Sequence, residues 1–400
     1  MTHPAPLAGL KIIDQTQALA GPYCAMMLGD MGAEVIKIER PIIGDQSRHW
    51  APPYIGDQSC YYLAVNRNKR GIALNIHADE GREIIYQLVK DADVFITNLA
   101  TSESLIKYGI DSDTLQAMNP RLIYASISGY GCTGPRAGQS GYDLVAQAES
   151  GTIALTGEVD GAPMRFPTAI ADMTCGLYTM IGILGALYAR QTTGKGQFID
   201  SSLQEGQITW LANYAAEYFA EGNDPPRRGN RHPQVVPYEA VQGSDGEWFI
   251  LGVGSDNIWK VFCKHVGREA LSQDERFTTN SKRIANYDDL LPIIRQIIQQ
   301  KTTDQWLTEL RSVGVPCGRI NTVKEALTDA HLIERGMIIE LDHPALGIVK
   351  SLATPVHLSD TPLVYYRHPP TLGEHTKEIA SELGYTEAQI QAMYKKGVIA

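Results

Sequence analysis

The segment Leu10–Pro41, LKIIDQTQALAGPYCAMMLGDMGAEVIKIERP, decides how this chain folds. Leu10–Asp14 is a short apolar run of strand length. Gly21–Met31 reads as a helix with Pro22 near its first position, where the missing N–H would have had no partner anyway. Glu34–Ile38 (EVIKI) is a second strand. Strand, helix and strand in that order form the opening of a parallel, helix-covered sheet.

The alternation continues outward. Ile72–Ile76 is a third strand, followed by a helix at Glu80–Val89. Asp93–Asn98 (DVFITN) is a fourth strand and Leu122–Ser128 (LIYASIS) a fifth. A long apolar helix runs from Asp172 to Ala189. The strand Gln197–Asp200 and a helix over Leu203–Glu221 follow. Such βαβ repetition predicts an α/β protein whose parallel sheet is covered by helices on both faces.

At Gly222–Tyr238, GNDPPRRGNRHPQVVPY, the composition shifts to the Pro, Gly, Asn and Arg of a linker. Beyond it Tyr238–Gln242 and Glu247–Gly252 flank SDG and read as a β-hairpin. Helices at 255–266, 288–300 and 303–313 complete a smaller α+β domain. Another hairpin, Met337–Pro355, and two short helices end the chain. The expected organisation is a large domain over 1–222, a small one over 223–325 with its linkers, and a return to the large domain over 326–400.

Bulk properties narrow the function. At 400 residues the chain is too long for one core and points to about two domains. With 44% apolar and 20% charged residues it is a globular protein rather than a disordered one. A net charge of −10 argues against nucleic acid or an anionic membrane as partner, though an anionic small ligand needs only local cations. The six cysteines form no CxxC pair, and none has a histidine at metal-finger spacing, so no metal site is expected and the thiols read as reduced and cytoplasmic. The start, MTHPAPLAGLKIIDQT, lacks the basic and apolar regions of a signal peptide. The longest apolar stretch, Gly176–Ala189, is broken by glycines and short of a membrane span.

The first βα turn, TQALAGPYC, has no GxGxxG, and no GxxxxGK[ST] occurs. Without those glycines a pyrophosphate cannot approach the backbone as a dinucleotide does, so the domain takes a different ligand. Arg40, ending the second strand, stands where a ribose phosphate would be met; the plainer reading is a surface arginine closing a strand. Asp172, in FPTAIADMTCGLYTMIG, reads either as an N-cap of the long helix or as a carboxylate whose attack is assisted by helix N-terminal N–H groups. His232, beside Arg228 and Arg231, is a base or carboxylate anchor, or part of a solvated linker. Gly252-Val253-Gly254-Ser255 is a strand-to-helix turn or a mobile flap.

Taken together, the opening segment, GDQSRHW, NRNKRGIALNI, NPRLIYASISGYGCTGP, SGYDLVAQAESG, DMTCGLY, TGKGQFIDSSL, GNRHP and LGEHT resemble, in order, the family III CoA transferases. The resemblance spans essentially the whole chain. It implies a Rossmann-like large domain with an inserted smaller α+β domain, an interlocked homodimer, and a covalent aspartyl mechanism with Asp172 as nucleophile. It implies CoA contacts at Gln17, Ala18, Leu19, Arg40, Leu74, Asn98, Leu99 and Lys107. Lys107 follows ATSESL and stands where relatives often carry arginine. Trp50 and Tyr142 match positions beside the thioester. Arg228, His232, Gly252 and Gly254 are carried as acyl-site candidates. No permanent cofactor is implied, since an acyl-CoA is itself the substrate.

Formyl-CoA transferase has a run of four glycines before its small-domain hairpin, where this chain has RRGNRHPQVVPYEA. With RHWAPPY and VNRNK, that departure resembles the branch using succinyl-CoA and a second dicarboxylate such as glutarate or itaconate. An acetyl-CoA:oxalate relative shares GNRHP. α-Methylacyl-CoA racemases place a His-Asp pair where Tyr142-Asp143 stand, and lacking that histidine removes one of the two bases racemisation needs. A non-catalytic acyl-CoA-binding subunit would have no use for Asp172.

Overall fold

The computed structural model describes residues 4–99 and 102–400. It divides into two units. The first comprises Met1–Thr152, Arg165–Ala216 and His331–Ala400, and the second Ile153–Met164 and Glu217–Ala330. Nothing in the sequence had set Ile153–Met164 apart from its flanks. Arg227 secures this segment within the second unit, its Nε donating to the carbonyl of Ala154 at 3.0 Å.

Six strands form the sheet of the first unit: β1 (Lys11–Gln15), β2 (Glu34–Glu39), β3 (Lys69–Ala73), β4 (Val94–Thr97), β5 (Ile123–Ser128) and β6 (Phe198–Ser202). Their order is β3-β2-β1-β4-β5-β6, and every neighbouring pair is parallel. The order reverses between β1 and β4. In a doubly wound sheet that reversal opens a crevice outside the carboxyl ends of the strands, where ligands bind.

Both faces of the sheet are buried because side chains alternate along each strand. Ile13, Ile36 and Phe95 enter one core with Ile84, Ile85, Leu88 and Val89 of helix α2 (Asp79–Lys90). Their neighbours Ile12, Val35 and Ile96 enter the other, against Cys24 and Leu28 of α1 (Ala20–Asp30) and Ile183 and Leu187 of the long helix Ile170–Thr193. The C-terminus joins the first core through Ile379, Ile390 and Met393. It also extends the sheet edge, where Leu74 bridges Ile399 in antiparallel sense.

Three local expectations differ from the structure. Apolar patterning placed the third strand on Ile72–Ile76, but pairing begins at Lys69. The fully buried Lys69 ammonium makes this possible by donating to Asp14, the Pro22 carbonyl and Asn66 at 2.8, 2.8 and 2.9 Å. A buried cation is tolerated only when so paired. The helix expected over Leu203–Glu221 is interrupted by a 3-10 turn at Thr209–Leu211, with Ala212 at φ 42°. No Gly or Pro marks that break. Finally, the long helix spans 24 residues, Ile170–Thr193, and by length and composition is apolar enough to cross a membrane. One of its faces packs against α1 and the sheet, while Tyr178, Ile181 and Tyr188 on the helix stay exposed.

In the second unit β7 (Tyr238–Gln242), β8 (Trp248–Gly252) and β9 (Cys317–Arg319) form an antiparallel sheet with β8 central. Phe249 and Leu251 pack on Trp259, Phe262, Ile294 and Trp306 from the helices at Asp256–His265, Tyr287–Ile298 and Thr303–Ser312.

Candidate active site

The site grows from the two loops that leave the sheet at its switch point. After β1 the chain turns through Gln17, Ala18 and Leu19 before α1 begins at Ala20. After β4 comes Asn98. The Asn98 carboxamide accepts from the Gln17 N–H at 3.0 Å and donates to the Gln17 carbonyl at 2.7 Å. This reciprocal pair ties the loops together. Ala18 is held in the left-handed region at φ 71°, and its N–H donates to Asp45 Oδ1 at 2.9 Å.

Two cavities open at this point and share Gln17 and Leu99 as wall residues. One, of about 260 Å³, includes Arg40, Leu74, His77 and Tyr108. The other, of about 250 Å³, includes Ala18, Trp50, Asn98, Tyr142, Asp143 and Asp172. Of the residues singled out from sequence, eight thus gather around these spaces besides Asp172 itself: Gln17, Ala18, Arg40, Trp50, Leu74, Asn98, Leu99 and Tyr142.

Asp172 is not the N-cap of its helix. The cap position is Ala169, which makes no side-chain cap bond, and Asp172 lies in the first turn. The reason is non-local. Asp143, first residue of the helix Asp143–Glu149, accepts the Ala171 N–H at 2.8 Å and takes the donor that a local cap would have satisfied. Asp172 is thereby left to face the cavity. Burial, with the like charge of Asp143 adding to it, pushes its carboxyl up to about 7. The nearby thiol of Cys175 is pushed up to about 12, mainly by burial and then by the charge of Asp172. Its thiol form persists at neutral pH, so the carboxylate is the stronger nucleophile candidate of the two. Tyr61, raised to about 12 by burial and by Asp172, remains a neutral phenol, and its ring meets Trp50 edge-on at 4.9 Å.

Other candidates lie elsewhere. Leu19 is not among the cavity walls; it is buried with Met26 and Val65. Lys107, on the helix Ser102–Tyr108, is exposed, its ammonium 6.0 Å from the Tyr108 ring. Ala100 and Thr101 of the ATSESL segment lie outside the described residues. Arg48, within the GDQSRHW motif, is committed to Glu39 by two bonds of 2.7 Å and lies over the Tyr62 ring.

Arg228, His232, Gly252 and Gly254 belong to the second unit. Arg228 pairs with Glu217 at 2.6 Å, both largely buried. His232 stacks on Tyr238 at 5.3 Å, and its Nδ1 accepts the Gln234 N–H at 3.1 Å. Gly252 ends β8, and Ser255 caps the following helix, as a strand-to-helix turn requires. Among the residues that the sequence did not single out as site candidates, Asp143 and Asp45 matter most. Both sit inside quoted motifs, SGYDLVAQAESG and GDQSRHW, but only the fold brings them to the site.

A doubly wound α/β unit with a partly buried carboxylate beside its switch-point crevice, and without GxGxxG glycines, has the setting of an enzyme site rather than of a dinucleotide binder. The family model for CoA-transferase family III matches residues 7–376, and the chain belongs to that family. It is 38% identical to the succinyl-CoA:glutarate CoA-transferase of Mus musculus over 395 residues, covering 98% of this chain and 90% of the relative. It is 40% identical to the succinate–glutarate CoA-transferase of Agrobacterium fabrum over 389 residues, covering 94% and 96%. Among solved structures, a CAIB/BAIF family protein from Brucella suis superposes with a TM-score of 0.84 at 42% identity, covering 95% of this chain and all of that one.

Proposed function

We propose that this enzyme moves CoA from succinyl-CoA to a short dicarboxylate such as glutarate, with Asp172 as the covalent nucleophile. The observation that carries this reading is the placement of Asp172, partly buried and raised to about 7, on a cavity that shares two walls with the one containing Arg40. The relatives named above act on the same acid pair, which supports the choice of substrates.

A carboxylate in water is a weak nucleophile toward a thioester. Removing it from water raises its basicity and its reactivity. An Asp172 oxygen attacks the succinyl carbonyl, the C–S bond breaks, and CoA thiolate leaves an aspartyl–succinyl anhydride. The thiolate then attacks the aspartyl carbonyl, releasing succinate and leaving an aspartyl-CoA thioester. The acceptor carboxylate attacks that carbonyl and expels thiolate, forming a second anhydride. Attack of the thiolate on the acceptor's own acyl carbon gives the new acyl-CoA and restores Asp172. One thioester replaces another, so the exchange needs no ATP.

The guanidinium of Arg40 is read as the partner of the CoA 3′-phosphate, with Gln17, Ala18, Leu74, Asn98 and Leu99 shaping the path between phosphate and thioester. Trp50 and Tyr142 flank the acyl group. We also read the enzyme as a homodimer, because Ile181, Tyr188, Phe198, Ile208 and Trp210 leave large apolar side chains exposed on the first unit. The test of substrate class is a transfer assay with succinyl-CoA as donor and glutarate, itaconate, oxalate or butyrate as acceptor. A dicarboxylate carries a distal charge that a closed site must pair. Glutarate and itaconate are therefore expected to exceed butyrate by the ~10²-fold or more that pairing a buried charge gives. Equal efficiencies would reject the dicarboxylate reading, and a preference for oxalate would move it to a different acceptor.

A further inference from the structure

We infer that Asp45 is a positioning residue for the transfer reaction: its carboxylate, anchored by the buried Lys37 ammonium, holds Ala18 in a left-handed conformation and so sets the Gln17–Leu19 turn at the wall between the two cavities. The inference rests on the proposed CoA transfer for its kinetic consequence, but its structural part stands independently.

Asp45 lies outside the sheet, yet it is the hub of the turn. Its Oδ1 accepts from the Ala18 N–H at 2.9 Å, the Ser47 N–H at 2.9 Å and the Ser47 hydroxyl at 2.8 Å. Its Oδ2 accepts from Lys37 Nζ at 2.8 Å, and both side chains of this ion pair are fully buried. Lys37 also donates to the carbonyl of Thr16, at 2.9 Å, so one ammonium grips the turn at Thr16 and, through Asp45, at Ala18. Thr16 is fixed in addition by Asp14, which accepts its N–H at 3.1 Å and its hydroxyl. Asp14 in turn is paired with the buried Lys69 at 2.8 Å. Two buried ion pairs therefore converge on Thr16 and Ala18, and the turn they fix contains a strained residue.

An alanine at φ 71° is disfavoured because its Cβ crowds the backbone. Such strain survives where the surroundings over-determine the conformation, and it concentrates at functional sites. Here the determinant is a charge-assisted bond to the very amide that must point away from the ordinary turn. Ala18 and Gln17 both line the cavity that holds Asp172, so relaxation of Ala18 would move the wall that faces the acyl-CoA. Lys37 and Asp45 make the buried connection that links β2 to this wall.

The test is a cycle of D45N, A18G and the double variant. D45N keeps an acceptor for the Ala18 N–H but removes the charge and turns an amide donor toward Lys37. A glycine in place of Ala18 adopts φ 71° without steric cost, which removes the need for the clamp. D45N is expected to lower kcat/KM for transfer about ten-fold, the step from a charge-assisted to a neutral hydrogen bond. The same substitution in the A18G background is expected to cost at least three-fold less. Crystal structures add a readout that activity does not govern: Ala18 leaves the left-handed region in D45N, while the glycine introduced by A18G keeps it in the double variant. A D45N crystal structure with Ala18 unmoved, or a D45N loss that A18G leaves unchanged, would overturn the inference. Absence of CoA transfer by the unsubstituted enzyme would overturn the functional reading and leave the crystallographic result to decide this one.

Discussion

Asp143 and Asp172 face one cavity, and the charge of the first adds to burial in lifting the carboxyl of the second to about 7. Asp143 spends one oxygen on the Ala171 N–H and the other on the Gln147 amide, at 2.8 and 2.7 Å. As the proposed nucleophile, Asp172 must be ionised to attack. The rate of transfer should therefore rise with pH through a midpoint near 7 and flatten above it. Replacing Asp143 by Asn removes the like charge and should move that midpoint to lower pH, with burial still holding it above an ordinary aspartate. A pH–rate profile of D143N that coincides with the parent profile would remove Asp143 from this role.

The same shift makes a statement about stability. The folded-state pKa of Asp172 lies above its ordinary 3.8, so the protein binds this proton more tightly folded than unfolded. Stability from this group is complete below 3.8 and is lost as pH rises to about 7. Asp172→Asn removes the ionisable group, so it should raise the melting temperature more at pH 8 than at pH 4. Equal changes at the two pH values would show that the carboxyl is not perturbed in this way.

Close packing sets the helix that carries Asp172. A Cβ on Gly176 would stand 2.6 Å from the carbonyl oxygen of Ala20, where α1 meets the long helix. Gly176→Ala should therefore push the helices apart, at a cost of about 1–3 kcal/mol for overpacking, and should displace Asp172 one turn away. Urea denaturation and kcat together test this. Unchanged values for both would contradict the packing argument.

Much of this architecture was legible because it obeys local rules. Ile12 and Ile13, or Val35 and Ile36, alternate between two cores, and that alternation is written in the strand patterns. What stayed hidden was non-local. Lys69 opens a strand because Asp14 pairs with its ammonium across 55 residues, and no window around residue 69 shows that partner. Asp172 looked like a cap because the competing acceptor, Asp143, comes from another helix. Asp45 was quoted within a motif but could not be read as the clamp on Ala18, since the bond spans 27 residues.

A histidine cluster should make the first unit acid-sensitive. His343 is buried, accepts the Ala345 N–H at Nδ1, and has its ring 4.6 Å from that of His368, which contacts Glu374 at 2.9 Å. Burial, and then the neighbouring His368, hold its pKa below the usual 6.5. With a depressed folded-state pKa, its contribution to stability is present above 6.5 and is lost as pH falls through the lower folded value. Stability should thus decline below pH 6.5, and His343→Gln should flatten the decline. The check is denaturant unfolding at steps between pH 7 and pH 5. A slope that the substitution leaves unaltered would place the acid sensitivity elsewhere.

Arg40 provides a test of how CoA lies. If its guanidinium meets the 3′-phosphate, Arg40→Ala should weaken CoA by ~1.5–3 kcal/mol, the value of a charged hydrogen bond. It should leave 3′-dephospho-CoA almost unaffected. Titration calorimetry with the two ligands makes the comparison, and equal losses would move Arg40 off the phosphate.

Asp172 is proposed to carry the acyl and CoA groups in turn. Cys175 lies three residues along the same helix, and cleavage after Arg and Lys leaves both residues in the single peptide Phe166–Arg190. Fragmentation of that peptide must therefore place the adduct. The enzyme is mixed with succinyl-CoA, quenched with hydroxylamine, digested and sequenced by tandem mass spectrometry. The account requires a hydroxamate on Asp172, formed from the aspartyl thioester or anhydride, and its loss together with turnover in Asp172→Ala. An Asp172 that stays free of hydroxamate, or an Asp172→Ala enzyme that still turns over, would contradict it.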